Sequence, residues 1–236
     1  MATNEDIWSP GAPRDELRPE FHIDRTGGRD GNEALTIHMD QRPGLHGYWR
    51  VRDAVRGGGW YRFHTWRRTT AVAEPRRQAP VRILWQDDDG QPVLLDRPVV
   101  ERYLTQWGPS RAEPEHPRDG ATDADGWTEV AGLYQAPPDA THAVIELSLL
   151  WAPGGSVAWS EIYWQPSDPP APRPVRLAAA HLRPGSGVSP EANLRLYEPL
   201  LAQAAAQRAD LVVLGECVTS IRSEERRVGK ECRSRW

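Results

Sequence analysis

Hydrophobic and polar positions alternate in short runs, broken by clusters of Gly, Pro and Asp, and this pattern predicts an antiparallel β-sandwich from about residue 34 to 164. The clearest run is 59–67, GWYRFHTWR. Because side chains alternate along a strand, Tyr61, Phe63 and Thr65 fall on one face and Trp60, Arg62, His64 and Trp66 on the other. A second run, 81–86, ends at DDDG, whose Asp and Gly residues suit a turn, and a third, 127–134, stops at Pro137 and Pro138. In 142–151, HAVIELSLLW, the residues Ala143, Ile145, Leu147, Leu149 and Trp151 share a face. Gly154 and Gly155 then turn the chain, so 156–164, SVAWSEIYW, is expected to return beside it as a hairpin partner.

Beyond this region the periodicity changes. Five of the ten residues in QPSDPPAPRP, 165–174, are proline, which cannot donate to a sheet and favours an extended spacer. Residues 175–180, VRLAAA, are apolar apart from Arg176 and show no alternation, as in a strand buried on both faces of a layered α/β domain. Ser189, Pro190 and Glu191 supply an N-cap, a first-turn proline and an acid at the positive end of a helix dipole. The helix core stripe would be Leu194, Tyr197, Leu201 and Ala204. Pro199 inside it removes a hydrogen bond at a cost of ~3 kcal/mol, so a break is expected near Glu198. LVVL at 211–214 reads as a second buried strand, which makes a βαβ unit. The expected organisation is multi-domain: an N-terminal arm (1–19), a jelly-roll-like β-sandwich (20–165), a Pro-rich linker (166–174) and the start of an α/β domain (175–221).

Composition narrows the function classes. The 236 residues carry 29 basic and 33 acidic side chains, a net charge of −4 that argues against a nucleic-acid partner, and 39% hydrophobic residues are enough for a packed core. No apolar run approaches the ~18 residues of a membrane span and no leader-like h-region opens the chain, so a soluble, cytoplasmic protein is expected. Two cysteines, Cys217 and Cys232, cannot form a disulfide framework or a four-ligand zinc site, and the seven histidines show no HxH or HExxH spacing, so no metal is expected. Asp123–Ala–Asp–Gly126 lacks the later Glu of a calcium loop and reads as a turn, while the triple glycine at 57–59 has no following Lys–Ser/Thr pair to cradle phosphate.

Basic residues are unevenly typed: the first 221 positions hold 23 Arg and no Lys, whereas 222–236, RSEERRVGKECRSRW, contains Lys230, the single lysine, and is itself net positive. This peptide resembles, along its whole length, the conceptual translation of a sequencing-library adapter. It is therefore set aside, which makes the acid, amine and thiol of Glu225, Lys230, Glu231 and Cys232 a decoy. The natural protein is then expected to continue past Ile221.

LVVL leads directly into Gly215 and Glu216, and the carboxyl ends of strands in α/β sheets face the crevice where catalysis sits. Glu216 is thus the best-placed acid, with helix capping as its plain alternative. The stretch 175–219, VRLAAAHLRPGSGVSPEANLRLYEPLLAQAAAQRADLVVLGECVT, resembles the opening of the carbon–nitrogen hydrolase (nitrilase) superfamily. The resemblance rests on a "VRVAA"-like strand, an Asn at 193 on the helix, and an "ADLVVLPE"-like strand ending in the glutamate. It implies an αββα fold and hydrolysis of a small amide or nitrile by a Glu–Lys–Cys triad without metal or organic cofactor. Glu216 would be the base that activates the cysteine thiol. Gly215 stands where the family commonly has proline, and His181 where it has glutamine. The triad lysine and cysteine belong to later strands, and neither the tail residues nor Cys217, the immediate neighbour of Glu216, can replace them. The chain as given is expected to be inactive, prone to aggregate after Pro174, and part of an intact protein open to homo-oligomerisation.

The region before the linker is similar, more loosely, to the galactose-binding-like jelly-roll group, with no motif that carries over a sugar-binding residue. Trp60, Trp66, Trp85, Trp107, Trp127, Trp151, Trp159 and Trp164 are mostly expected in the core, since each ring buries ~150–250 Å². Trp60 and Trp66, beside Arg62 and His64, are the best candidates for an exposed platform. This gives the alternative function: a carbohydrate- or protein-binding sandwich without catalysis.

Overall fold

A computed structural model describes residues 7–94, 111–182, 189–215 and 218. Four sequence expectations, Trp107, Glu216, Cys217 and the tail 222–236, lie outside the described residues. The chain divides into two compact units, Met1–Pro169 and Pro170–Trp236, and the division falls inside the expected linker.

The first unit contains β1 (Ser9–Gly11), β2 (Glu20–Asp24), β3 (Ala34–His38), β4 (His46–Ala54), β5 (Trp60–Thr70), a single helical turn α1 (Pro75–Gln78), β6 (Val81–Gln86), β7 (Arg118–Thr122), β8 (Thr128–Gln135), β9 (His142–Leu150) and β10 (Ser156–Ser167). They form two antiparallel sheets, of order β1-β4-β9-β6 and β2-β3-β10-β5-β8-β7. From β3 onward every connection except β7 to β8 crosses to the opposite sheet, which is a jelly-roll-like winding. One core fills the space between the sheets. Trp49, Val81, Ile83, Trp85, Ile145, Leu147 and Leu149 come from the smaller sheet, and Leu35, Ile37, Phe63, Val130, Val157 and Trp159 from the larger. Strand β5 alternates as expected, with Tyr61, Phe63 and Thr65 buried beneath Trp60, Arg62, His64 and Trp66.

Three local expectations need correction. The hairpin between 142–151 and 156–164 does not form: β9 pairs with β4 and β6, whereas β10 pairs with β3 and β5 in the other sheet. The reason is that β9 is the inner strand between β4 and β6, which occupy both its hydrogen-bonding edges, so none is left for β10. The turn at Trp151 (φ 55°) and Gly154 (φ 69°) therefore carries the chain across the sandwich. Trp151 itself leaves the core and is 62% exposed. Finally, the sandwich takes in Ser9–Gly11 on the edge of β4, with Trp8 in the core, and β10 reaches Ser167, so the sheets extend beyond 20–165 at both ends.

The second unit pairs β11 (Leu177–Ala180) with β12 (Leu211–Leu214) in parallel, joined through α2 (Pro190–Arg195) and α3 (Glu198–Ala206). Ser189 caps α2, its Oγ accepting the Ala192 N–H at 3.2 Å. The Glu191 carboxyl is held below its ordinary range, first by its own backbone N–H and then by the Ser189 hydroxyl. The helix breaks at Leu196 and Tyr197, so that Pro199 sits in the first turn of α3 where a missing N–H costs nothing. That break disrupts the expected stripe: Tyr197 and Ala204 are buried, while Leu194 and Leu201 face outward. Leu177, Leu211 and Val213 are each more than half exposed. Among the described residues no helix is long and apolar enough to cross a membrane.

Candidate binding face

The outward face of the six-stranded sheet gathers the candidate binding side chains, and an irregularity in β10 decides which they are. Strict alternation would place Trp159 and Trp164 on opposite faces, since they are an odd number of residues apart. The register shifts between Ser160 and Tyr163, and Glu161 takes φ 52° in the left-handed region. One extra residue restores parity, as a β-bulge does. Trp159 and Trp164 both turn to the core side, the latter stacked on Tyr61 at 5.2 Å between ring centroids. Tyr163 is turned outward, opposite His64, and is 54% exposed. Sequence reasoning missed Tyr163; the odd spacing of the two tryptophans was the signal that could have found it.

Trp60, Arg62, His64 and Trp66 therefore share their face with Tyr163, Gln165 and Gln135, residues that the strand pairing places directly across from them. His64 lies 6.0 Å from the Tyr163 ring and 5.8 Å from the Trp66 ring, and its Nε2 is 3.2 Å from Glu129 Oε1. The two predicted platform residues are not equivalent. Trp66 is covered by the Arg29 guanidinium, 4.2 Å from its ring centre, whereas Trp60 is half-buried with no such cap among the described residues.

Arg29 is fixed by Asp123, whose Oδ2 accepts from Nε at 3.2 Å, and lies near Asp30 and Glu161. That hydrogen bond, with the neighbouring carboxylates, raises the Arg29 pKa further. Desolvation pushes the Asp123 carboxyl upward, but the Trp127 N–H, Arg29 and the Asp125 N–H outweigh it and hold it low. The Asp123–Gly126 segment is thus a turn whose carboxylate is consumed by backbone N–H groups and an arginine. Among the described residues no three His, Cys, Asp or Glu side chains cluster as metal ligands.

Beyond the Arg29–Trp66 pair, the same face holds an open groove of about 380 Å³. His22, Asp24, Thr36 and His38 form one bank, Arg68 and Thr70 the other, and Ser156 to Ala158 the floor. Arg68 is held over the Trp127 ring at 4.4 Å and donates to the Gly27 carbonyl at 3.1 Å. The groove therefore offers fixed hydrogen-bonding groups over a floor of small side chains.

The outward face of the four-stranded sheet is of another kind. Glu146, 2% exposed, is clamped by Arg50 at 2.6 Å and Arg82 at 2.5 Å, one from each neighbouring strand. This triad satisfies itself and leaves a buried acid structural rather than available.

No family model and no curated protein matches the chain. Solved structures similar to it include the enzymatically active domain of bacteriophage CBA120 tailspike protein 4, with 12% identity over 68% of this chain and a TM-score of 0.44. Another is the CBM22-1-GH10 portion of Clostridium thermocellum xylanase 10B, complexed with xylohexaose, at 8% identity over 89% of the chain and a TM-score of 0.45. A family 16 carbohydrate-binding module matches 62% of the chain at 13% identity with a TM-score of 0.43. The chain spans 19% of the tailspike structure and 36% of the xylanase structure, but 86% of the isolated module. Likenesses at this level carry no argument about the ligand, which has to come from the face itself.

Proposed function

We propose that the sandwich is a non-catalytic binding module for carbohydrate and that the ligand lies on the outward face of the six-stranded sheet. The supporting observation is the β10 bulge, which puts an exposed Tyr163 directly across from His64 and diagonal to Arg62, on the face that also carries Trp60. A pyranose ring has an apolar C–H face that stacks on an aromatic ring and hydroxyl groups around its edge that need planar donors and acceptors. Trp60 and Tyr163 offer the first; Gln135, Gln165, Arg62 and the polar groove offer the second. A protein partner would call for a continuous apolar centre, whereas here Leu133 and Ala131 lie across from Arg62 and His64, so that apolar and polar groups are interleaved. Trp66 drops out as a free platform because Arg29 already stacks on it. The test is a panel of immobilised glycans probed with the full chain, in which Trp60→Ala and Tyr163→Ala each weaken the best ligand about tenfold or more, equivalent to ~1.4 kcal/mol. Affinity unchanged by both substitutions would move the site elsewhere.

A second reading attaches to the Pro170–Trp236 unit. Its parallel β11–β12 pair, joined through helices and ending at Leu214, two residues before Glu216, supports the start of a carbon–nitrogen hydrolase domain in which Glu216 acts as the base on an amide or nitrile. That reading requires a lysine and a cysteine on further strands, so its test is the genomic reading frame past the codon for Ile221. A frame encoding both would support it, and an encoded RSEERRVGKECRSRW followed by a stop would remove it.

A further inference from the structure

The partners of the three arginines on β5 narrow the ligand class, on the footing of the glycan reading above. Arg67 is buried and spends its guanidinium on the Ala79 carbonyl at 3.1 Å and Asp119 at 2.6 Å. Arg68 is held by Gly27 and Trp127. Arg62 differs: it is exposed, its cross-strand neighbours are the uncharged Leu133 and Gln165, and it has no acid, carbonyl or ring partner among the described residues. Two carboxylates on the neighbouring strands are already engaged, Glu129 with His64 and Glu161 with Asn32 and Arg29.

Arg62 also stands between the two rings. Trp60 is two residues away on the same strand, ~7 Å along it, and Tyr163 is the diagonal cross-strand neighbour at ~7–8 Å. A sugar stacked on either ring brings its exocyclic substituent to the guanidinium. A planar fork of N–H donors matches a carboxylate in bidentate fashion, and a guanidinium flanked by two rings and without a protein partner among the described residues is open to make that pair.

We propose that this face selects acidic glycans, with Arg62 taking the carboxylate of a uronic acid while Trp60 and Tyr163 hold the rings. The decisive probes are polygalacturonate and its methyl ester, in which the carboxylate is neutralised and capped by a methyl group, titrated into the full chain by calorimetry, with dextran sulfate as a control for indiscriminate anion binding. The expected result is a preference of about tenfold or more for the free acid over the ester, reduced to near unity in Arg62→Gln and partly kept in Arg62→Lys. Equal affinity for acid and ester, with both lost in Trp60→Ala, would overturn the acidic selectivity and leave the glycan reading standing. Dextran sulfate binding as tightly as polygalacturonate, and both disappearing at high salt, would also overturn it, because charge alone would then explain the attraction. Binding of neither polygalacturonate nor its ester, with a neutral glycan bound in the panel and lost in Trp60→Ala, would sink the selectivity alone. No glycan bound at all would sink both readings.

Discussion

Two adjacent residues, Tyr163 and Trp164, should respond in opposite ways to truncation if the β10 bulge is placed correctly. Trp164 packs against the core, stacked at 11° on Tyr61 and 6.1 Å from Trp85. Truncating a core tryptophan costs ~3–5 kcal/mol; Trp164 is half-buried, which favours the lower end, and the Tyr61 stack adds ~0.5–1.5 kcal/mol. Trp164→Ala should therefore destabilise the sandwich by about 3 kcal/mol, a loss of roughly 6–12 °C in Tm for a unit of this size. Tyr163 has its one ring contact among the described residues with His64 and is more than half exposed, so Tyr163→Ala should stay within about 0.5 kcal/mol of the parent while weakening glycan binding. Far-UV circular dichroism during thermal and urea unfolding is the suitable readout, because it does not depend on the fluorescence of the tryptophan being removed. Equal destabilisation by the two substitutions, or a larger cost at Tyr163, would refute the bulge and with it the composition of the proposed face.

Further consequences follow from the same structure. Glu146→Gln leaves two facing arginines without their shared carboxylate and should cost about 2–4 kcal/mol in urea unfolding, whereas a surface acid such as Glu20 changed to Gln should cost almost nothing. Burial, followed by the Arg82 charge, holds His46 below its ordinary 6.5 in the folded state. Such a group adds stability above the unfolded pKa and loses it as pH falls toward the folded value, so thermal stability should decline from about pH 7 to 5 and decline less in His46→Gln. An equal slope in both proteins would exclude His46 as the cause. Arg29→Ala uncovers Trp66, and the Trp66 ring should then become accessible to acrylamide quenching; no increase would mean the ring is shielded by something else.

Much of the sandwich is legible in the sequence because one face of each strand is buried and the alternation records it. GWYRFHTWR shows this directly, and the 81–86 strand ends where its Asp–Gly turn begins. The α2–α3 break was legible for a different reason, since proline cannot sit in a helix interior. Strand pairing was not legible. A Gly–Gly turn between two β-runs reads as a hairpin, and only tertiary packing reveals that β9, enclosed on both faces and both edges, sends the chain to the other sheet. The candidate face was half legible: alternation brought Trp60, Arg62, His64 and Trp66 together, but it had no means of showing that Arg29, distant in sequence, covers Trp66. Tyr163 was hidden because a bulge adds a residue without changing composition.

The measurement that bears most directly on the central claim is calorimetric titration of the full chain with the best ligand from the glycan panel, set beside Trp60→Ala and Tyr163→Ala proteins of verified fold. Saturable binding by the parent and a loss of about tenfold or more in each variant is the expected result. Saturable binding that both variants retain in full would contradict it, because the ligand would then bypass the face that the β10 bulge creates.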